Sequence, residues 1–522
     1  MLRTAFDSMK LRADAPSSVS VSESVRESLL IFSDVHLGSD LNDRQPKEHA
    51  VRRSSAVDRD LVRMLDHYRA TPPKGDRWHL VIAGDLIDFI GITIDPKDAK
   101  LDTELSPEEL AHGVGSSADH VRFKLQRVAE RHWNVFAALA AFVAEGHALT
   151  IVHGNHDLEF HWDAVKTEFK AILANHAKGR MSEPNVFEEG TFTSRIEFNP
   201  WFFYRGGVAY VEHGHQYDPY CATENVMAPI SPRDPRRTVR GFSDILLRYV
   251  VRPTRGLTEH GHENYDAFDY IRFGLRLGVG GALSLAKRFV VAIVELFRLR
   301  QAHFSEAAAI LREEHERRMA LLAEATRIGI DRMRALAALQ APPVTKSIHG
   351  ILASVLLDKI SLSLASVIAL VVCALVSARL GHFVWAGSIV LVTWAVVHRY
   401  LTNLRKIDPA EAMLDRAAHL SRLFPAAFVV MGHTHVPVQV PAGRATYINL
   451  GSWAEEEPEV PDDPRAYRAA RTHLVIHVGD DGPVAELFAW DPETGPRRFF
   501  DANGTVVRAP ESSSPSADAP EA

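Results

Sequence analysis

Cysteine is nearly absent from this 522-residue chain: only Cys221 and Cys373 occur. Two thiols cannot build a disulfide framework, which excludes a stapled scaffold and fits a reducing compartment. An excess of basic charge is also missing. Fifty-nine Lys and Arg stand against 66 Asp and Glu, for a formal net charge of −7. No global positive field attracts a phosphate backbone, so nucleic acid is not an expected partner. The first residues lack the central apolar run of a secretory signal, and 1–27 read as a disordered arm. Residues 508–522, rich in Pro, Ser, Ala and acid, read as a disordered tail. Histidine, by contrast, is plentiful at 26 residues. One site uses only a handful, so most must be surface or satisfied groups.

Five short motifs concentrate side chains that bind metals. They are Asp34-Val35-His36, Gly84-Asp85-Leu86-Ile87-Asp88, Gly154-Asn155-His156-Asp157, His213-Gly214-His215 and Gly432-His433-Thr434-His435. Each follows a short apolar run: Ser28–Phe32, His79–Ala83, Ala148–Val152, Val208–Val211 and Ala427–Met431. Runs this short and rich in aliphatic residues predict central strands covered on both faces. The periodic segments Ala56–Tyr68 and His120–Glu145 predict helices between them. Ala445–Leu450, His473–Val478 and Pro483–Trp490 predict further strands. The alternation points to an α/β layered domain with its site on loops at strand ends.

Carboxylate, imidazole and amide oxygen together suit Mn, Fe, Zn or Mg. Asp-x-His and His-x-His place two donors on one side of a strand end, and an Asp there can bridge two ions. A bridged pair about 3.5–4 Å apart polarises phosphoryl oxygens and acidifies the attacking water. Singly, each residue could be an ordinary turn or surface polar group; jointly they point to a metal site. His215 stands beside His213 and could substitute for it. His153 and His161 read as structural or solvent-facing, and Asp218 and Tyr217 as turn residues or substrate contacts.

In order and content, the five motifs resemble those of the calcineurin-like metallophosphoesterase superfamily, over about Leu29–Asp218 and Ala427–Trp490. The resemblance implies a four-layer α-β-β-α sandwich and a dinuclear site for two divalent metal ions, manganese first, with Fe, Zn or Mg as alternatives. Asp34, His36 and His435 would hold one ion; Asn155, His213 and His433 would hold the other; Asp85 would bridge them. His156 would face the phosphate and protonate the leaving oxygen. Asp88 and Asp157 would orient the groups that touch metal and substrate. Asn449 resembles a strand-end residue that closes the domain. The implied reaction is attack of a metal-bridging hydroxide on a phosphodiester or pyrophosphate.

Between the fourth and fifth motifs the chain makes a long excursion. Residues 28–220 and 423–507 read as two parts of one catalytic domain, and 221–422 as a helical insert. The insert holds an amphipathic segment at 271–300, which reads equally as interfacial or as packed on the catalytic domain. A long helix at 301–340 follows, with Gly329 as a candidate break. Two uncharged runs come next, Ile360–Ala378 with 19 residues and 380–397 with 18. Each approaches the roughly 20 residues needed to cross a bilayer. They predict a transmembrane hairpin, the alternative being a pair of buried core helices. An even number of spans returns the chain to the catalytic side. Lys346, Lys359, Arg399, Arg405 and Lys406 flank the outer ends, against Arg379 in the connection. That bias places the catalytic domain in the cytoplasm, at an inner or plasma membrane.

A phosphorylated small molecule or a lipid-linked substrate is the expected ligand, with membrane lipid as a partner. Asp34-Val35-His36-Leu37 is similar to the motif of the UDP-2,3-diacylglucosamine hydrolases, which act on an acylated pyrophosphate at a membrane. That subfamily carries Arg where this chain has His156. The Phe89-Ile90 pair after Asp88 is unlike the protein Ser/Thr phosphatases. The competing readings are a soluble nucleotide phosphodiesterase with a helical cap, and a membrane scaffold or sensor without turnover.

Overall fold

Two β-sheets, each mixed in strand direction, carry the five motifs. The computed structural model describes residues 27–43, 48–75, 77–96, 100–180, 187–254, 273, 276–355, 357–380, 383–404, 408–454, 470–500 and 506. The expected arm, except Glu27, and the expected tail lie outside these residues. So do Arg405, Lys406 and parts of the 271–300 segment.

In chain order the strands are β1 (Glu27–Phe32), β2 (Arg77–Ala83), β3 (Ala148–Val152), β4 (Ile196–Asn199), β5 (Phe202–Arg205), β6 (Gly207–Glu212), β7 (Ala426–Met431), β8 (Val438–Ala442), β9 (Ala445–Asn449), β10 (Thr472–Gly479), β11 (Gly482–Asp491) and β12 (Gly495–Arg498). The first sheet runs β12-β11-β10-β1-β2-β3-β4 and the second β5-β6-β7-β9-β8. The strands that end in motifs are parallel to their motif-bearing neighbours: β1 pairs with β2, β2 with β3, and β6 with β7. Their C-terminal ends therefore bring the motifs to one edge of each sheet.

The helices are α1 (Glu48–Ala70), α2 (Pro107–His112), α3 (Ala118–Arg131), α4 (Trp133–Ala144), α5 (Asp163–Arg180), α6 (Glu189–Ser194), α7 (Phe242–Leu246), α8 (Gly278–His303), α9 (Glu306–Ala325), α10 (Ile330–Leu339), α11 (Ile348–Ser354), α12 (Leu357–Leu380), α13 (Phe383–Leu404) and α14 (Pro409–Leu423). A single turn of π-helix, Leu247–Val251, extends α7.

Alternation along the strands decides which face packs on what. Leu29 and Ile31 of β1 join Val81, Val211, Phe428, Val430 and Ile476 in an apolar layer between the two sheets. Leu30 and Phe32 point the other way, onto Leu61, Phe136, Leu139 and Phe169 of the covering helices. On the second sheet Val429 and Met431 pack with Met319, Met333, Met413 and Leu420. Helices α9, α10 and α14 thus cover that sheet, although all three lie within the stretch expected to be an insert.

The helix expected over His120–Glu145 is two helices. His132 breaks it: its Nδ1 lies 2.9 Å from the Asp58 carboxylate and its Nε2 accepts the Gly38 N–H at 3.0 Å. The break thereby holds the loop that follows His36. The 271–300 and 301–340 segments also redistribute. Helix α8 runs on to His303, Ser305 caps α9, and the second break falls at 326–329, next to Gly329.

Among the described residues one helix is long and apolar enough to cross a membrane by length and composition, over Val384–Leu401 in α13. The corresponding apolar stretch of α12 is shorter, Ala365–Val376. Serines at 361, 363 and 366 dilute its first half. The two helices lie side by side, and Trp394 Nε1 donates to Ser363 Oγ at 3.2 Å. Their apolar side chains are not in a core: Val371, Leu375, Val384, Trp385, Ile389 and Val392 are all more than half exposed. Helix α8 has two characters. Leu285, Ala292, Leu296 and Leu299 pack on Ile245, Val250, Val251 and Ile351, whereas Val279, Leu283, Val290 and Val294 face outward.

Candidate metal centre

The motif loops are stitched to one another by main-chain bonds. Val35 and His36 N–H both donate to the Asp85 carbonyl at 3.0 Å, and Leu37 N–H to Leu86 at 2.9 Å. Phe89 N–H donates to the His156 carbonyl at 3.0 Å, and Gly432 N–H to the His213 carbonyl at 3.0 Å. Asn449 closes the ring through its side-chain amide, which donates to the Gly432 carbonyl at 2.7 Å. Glycine is required where the loops cross. A β-carbon at Gly84 would sit 2.6 Å from the His213 ring, and one at Gly154 would overlap the Asp85 carboxylate.

Among the described residues seven non-glycine residues have positive φ, and five are Asp34, His36, Asp85, His433 and His435. Side chains held in a sparsely populated backbone region are a mark of functional sites, because the surroundings must over-determine them.

Asp34 is fully buried, and its Oδ1 makes no hydrogen bond. His435 Nε2 lies 3.2 Å from that oxygen, with His36 Nε2 and His213 Nε2 each at 4.0 Å. Asp85 Oδ2 lies 3.1 Å from His213 Nε2 and 3.7 Å from His36 Nε2. Asn155 Oδ1 is 3.1 Å from His213 Nε2. His213 Nδ1 faces the Ala83 carbonyl at 2.9 Å, so Nδ1 carries the proton and Nε2 is the ring's lone-pair atom in the neutral form. A lone pair aimed at two oxygens is repulsive unless a proton or cation lies among them.

The donor set therefore fits divalent cations. Two buried carboxylates, three imidazole nitrogens and an amide oxygen converge, and no Lys or Arg among the described residues pairs with Asp34 or Asp85. Electrostatics agree. Burial pushes Asp34 up, but His213 and His435 outweigh it and hold the carboxyl below its ordinary value. Burial opposes protonation of His213, yet Asp85 and Asp34 raise it to about 9. Protons and metal ions compete for such a site.

His433 enters differently. Its ring centroid is 5.3 Å from that of His213, and its N–H donates to Asp34 Oδ2 at 3.2 Å. Its Nε2 is engaged by Asp218 Oδ2 at 3.1 Å, which leaves Nδ1 for a metal. Asp218 is thus an orienting residue for a histidine, rather than a plain turn residue. His215 is buried against Gln216 Nε2, its ring 6.4 Å from His433, and it joins none of the close donor groups. His153 is buried.

His156 stands at the rim. Its ring meets that of His36 edge-on at 4.6 Å, and its Nδ1 lies 2.7 Å from Asp88 Oδ1. Burial disfavours its charge, but Asp88 and Asp85 raise it to about 10. Asp157 does not face the centre. It accepts Gly154 N–H at 2.6 Å and Leu86 N–H at 2.8 Å, tying the second and third motifs together. Burial and the neighbouring Asp85 push its carboxyl up. Beside Asn155 lies a small recess, lined by Phe89, Lys124 and Glu159 and by Val239, Arg240, Asp244 and Arg248 of the insert.

The sequence pattern did not reveal Asp218 as a partner of His433, nor Arg252, whose Nη2 lies 2.9 Å from Asp88 Oδ2. Arg252 and Asp88 are 164 residues apart, beyond any local spacing rule. No family model matches the chain, and no curated protein matches it.

Proposed function

We propose that this chain is a dinuclear-metal phosphoester hydrolase of the calcineurin-like type, its two sheets and covering helices forming a four-layer α-β-β-α sandwich. The carrying observation is the convergence of Asp34, His36, Asp85, Asn155, His213, His433 and His435, from five strand-end loops, around buried acceptor atoms. Asp34, His36 and His435 would hold one divalent ion, Asn155, His213 and His433 the other, with Asp85 between. Manganese is the first choice of metal, with Fe, Zn and Mg as alternatives. Two such ions supply Lewis-acid polarisation of a phosphoryl group and an acidified water.

The chain's own residues supply the proton. His156, held at Nδ1 by Asp88, presents Nε2 to the departing oxygen and donates its proton there. The small recess beside Asn155 borders the site on the side of the insert. Because insert residues wall it, the insert sets access.

The outward-facing apolar side chains of α12 and α13 support a membrane hairpin rather than a helical cap, with the catalytic part on the cytoplasmic side. A lipid-linked phosphodiester or pyrophosphate is then the fitting substrate. The test uses purified full-length protein, loaded with Mn²⁺, on p-nitrophenyl mono- and diesters and on lipid-linked pyrophosphates. Cleavage of diesters or pyrophosphates, abolished by Asp85→Asn, is expected. No hydrolysis across the panel by metal-loaded wild type would overturn the reading.

A further inference from the structure

We infer that Arg252, delivered by the insert, is a positioning residue for His156, so that the proton donor is complete only when the insert is docked. The inference rests on the reading of His156 as the acid. Asp88 is almost fully buried and both its oxygens are engaged. Oδ1 meets His156 Nδ1 at 2.7 Å and accepts Gly91 N–H at 2.8 Å. Oδ2 takes Arg252 Nη2 at 2.9 Å.

The other end of the same guanidinium, Nη1, donates to the Ser39 carbonyl at 2.7 Å, in the loop that follows His36. One planar cation thus fixes the Asp88 carboxylate plane against two motif loops. Without it the carboxylate could turn about its Cβ–Cγ bond, and the direction of His156 Nε2 would turn with it. Gly91 makes room for the pair: a β-carbon there would overlap both Asp88 Oδ2 and the Arg252 guanidinium.

Arg252 directly follows the π-turn Leu247–Val251. That turn packs through Val250 and Val251 on Leu285 and Leu296 of α8. The same apolar cluster includes Ile351 of α11, which leads into α12. The apolar cluster thus joins the turn that carries Arg252 to the helix that precedes α12.

The experiment compares full-length, metal-loaded wild type with Arg252→Gln, Arg252→Lys and Gly91→Ala. The substrates are two phosphodiesters, one releasing p-nitrophenoxide and one an alkoxide. A good leaving group needs little help from an acid and a poor one needs it. Metal content should stay at the wild-type level. kcat on the alkyl ester should fall about 10- to 100-fold, part of the usual contribution of a general acid, with KM and the nitrophenyl rate little changed. Arg252→Lys should restore part of the loss. Hydrogen exchange, read in parallel, should quicken at Phe89 and Gly91 in Arg252→Gln and not at residues 432–435.

Equal losses on both esters, loss of metal, a change in KM alone or an unchanged rate would each overturn the proposal. If wild type cleaves neither ester, the hydrolase reading fails. Exchange at Phe89 and Gly91 then decides alone whether Arg252 holds the Asp88 loop.

Discussion

Replacing residues 357–404 with a short Gly/Ser linker should release the protein from membranes and leave its metal centre intact. Helix α12 has 24 residues and α13 has 22, so at about 1.5 Å per residue each matches or exceeds a hydrocarbon core of about 30 Å. Among the described residues they hold thirteen large apolar side chains at least 52% exposed, from Val367 to Tyr400, eleven of them Val, Ile or Leu. At about 0.3–0.6 kcal/mol each for insertion, those eleven favour the bilayer by about 3–7 kcal/mol, or roughly 10²- to 10⁵-fold. None of the seven proposed ligands lies in the deleted stretch, and the antiparallel helices begin and end on the same side. The assay is vesicle flotation and alkaline extraction, with bound manganese measured on the same samples. Wild type should float and resist extraction. The deleted form should stay in solution with its manganese, apart from a weak attachment through Val279, Leu283, Val290 and Val294 on α8. Alkaline release of wild type, or tight flotation of the deleted form, would refute the hairpin. Tight flotation would also move the anchor to α8.

Other expectations follow from single contacts. Asp85→Asn should lose bound metal and turnover together, read by elemental analysis and a diester assay. His156→Ala should keep its metal and lose about 10²- to 10⁴-fold in kcat on esters with poor leaving groups, and loss of metal would show that His156 is a ligand. Gly154→Ala should destabilise the fold by about 1–3 kcal/mol and expel metal, since its β-carbon overlaps Asp85; thermal unfolding with and without Mn²⁺ reads both effects. Glu27 gives a pH signature. Burial works against its carboxylate, but His79, Arg205 and Arg77 outweigh that and hold it at about 2. A depressed folded value means stability present above the ordinary 4.5 and lost as pH falls towards 2. Discounted for partial exposure, Glu27→Gln should cost about 1–2 kcal/mol at pH 7 and clearly less at pH 3.5, in paired unfolding curves.

The strands that end in motifs were readable because each buries both faces, which compresses the pattern into a short aliphatic run with a polar stop. Ala148–Val152 matches β3 residue for residue. Strands at or near the sheet edges were less visible. Phe202–Arg205 and Val438–Ala442 are edge strands of the second sheet, and Ile196–Asn199 and Gly495–Arg498 are edges of the first. Less buried than the central strands, with Pro441 and Pro496 among their residues, they lack the aliphatic density of a central strand. The split of His120–Glu145 was hidden for another reason. Helical periodicity continues through His132, and only the tertiary partners Asp58 and Gly38 explain the break. The covering role of α9, α10 and α14 was invisible too, since an amphipathic helix does not name the surface it packs on.

The seven proposed ligands and the proton donor are held by different means. The ligands sit on strand ends, five of them in left-handed backbone that costs about 1–2 kcal/mol per residue. Main-chain bonds between loops, such as Val35 and His36 onto the Asp85 carbonyl, hold that backbone in place. The sheets therefore preorganise the ligand atoms before any ion arrives. The His156 main chain is tied as well, its N–H donating to Asp85 Oδ1 at 2.9 Å and its carbonyl accepting Phe89 N–H at 3.0 Å, but the direction of its ring is set by side chains. Its Nδ1 meets Asp88, and Asp88 meets Arg252, which arrives from the insert 164 residues further along the chain. Under the hydrolase reading, metal affinity belongs to the sheets and the proton belongs partly to the insert. Changes in the insert should then alter turnover while bound metal stays constant, a separation that a site built wholly on strand ends would not allow.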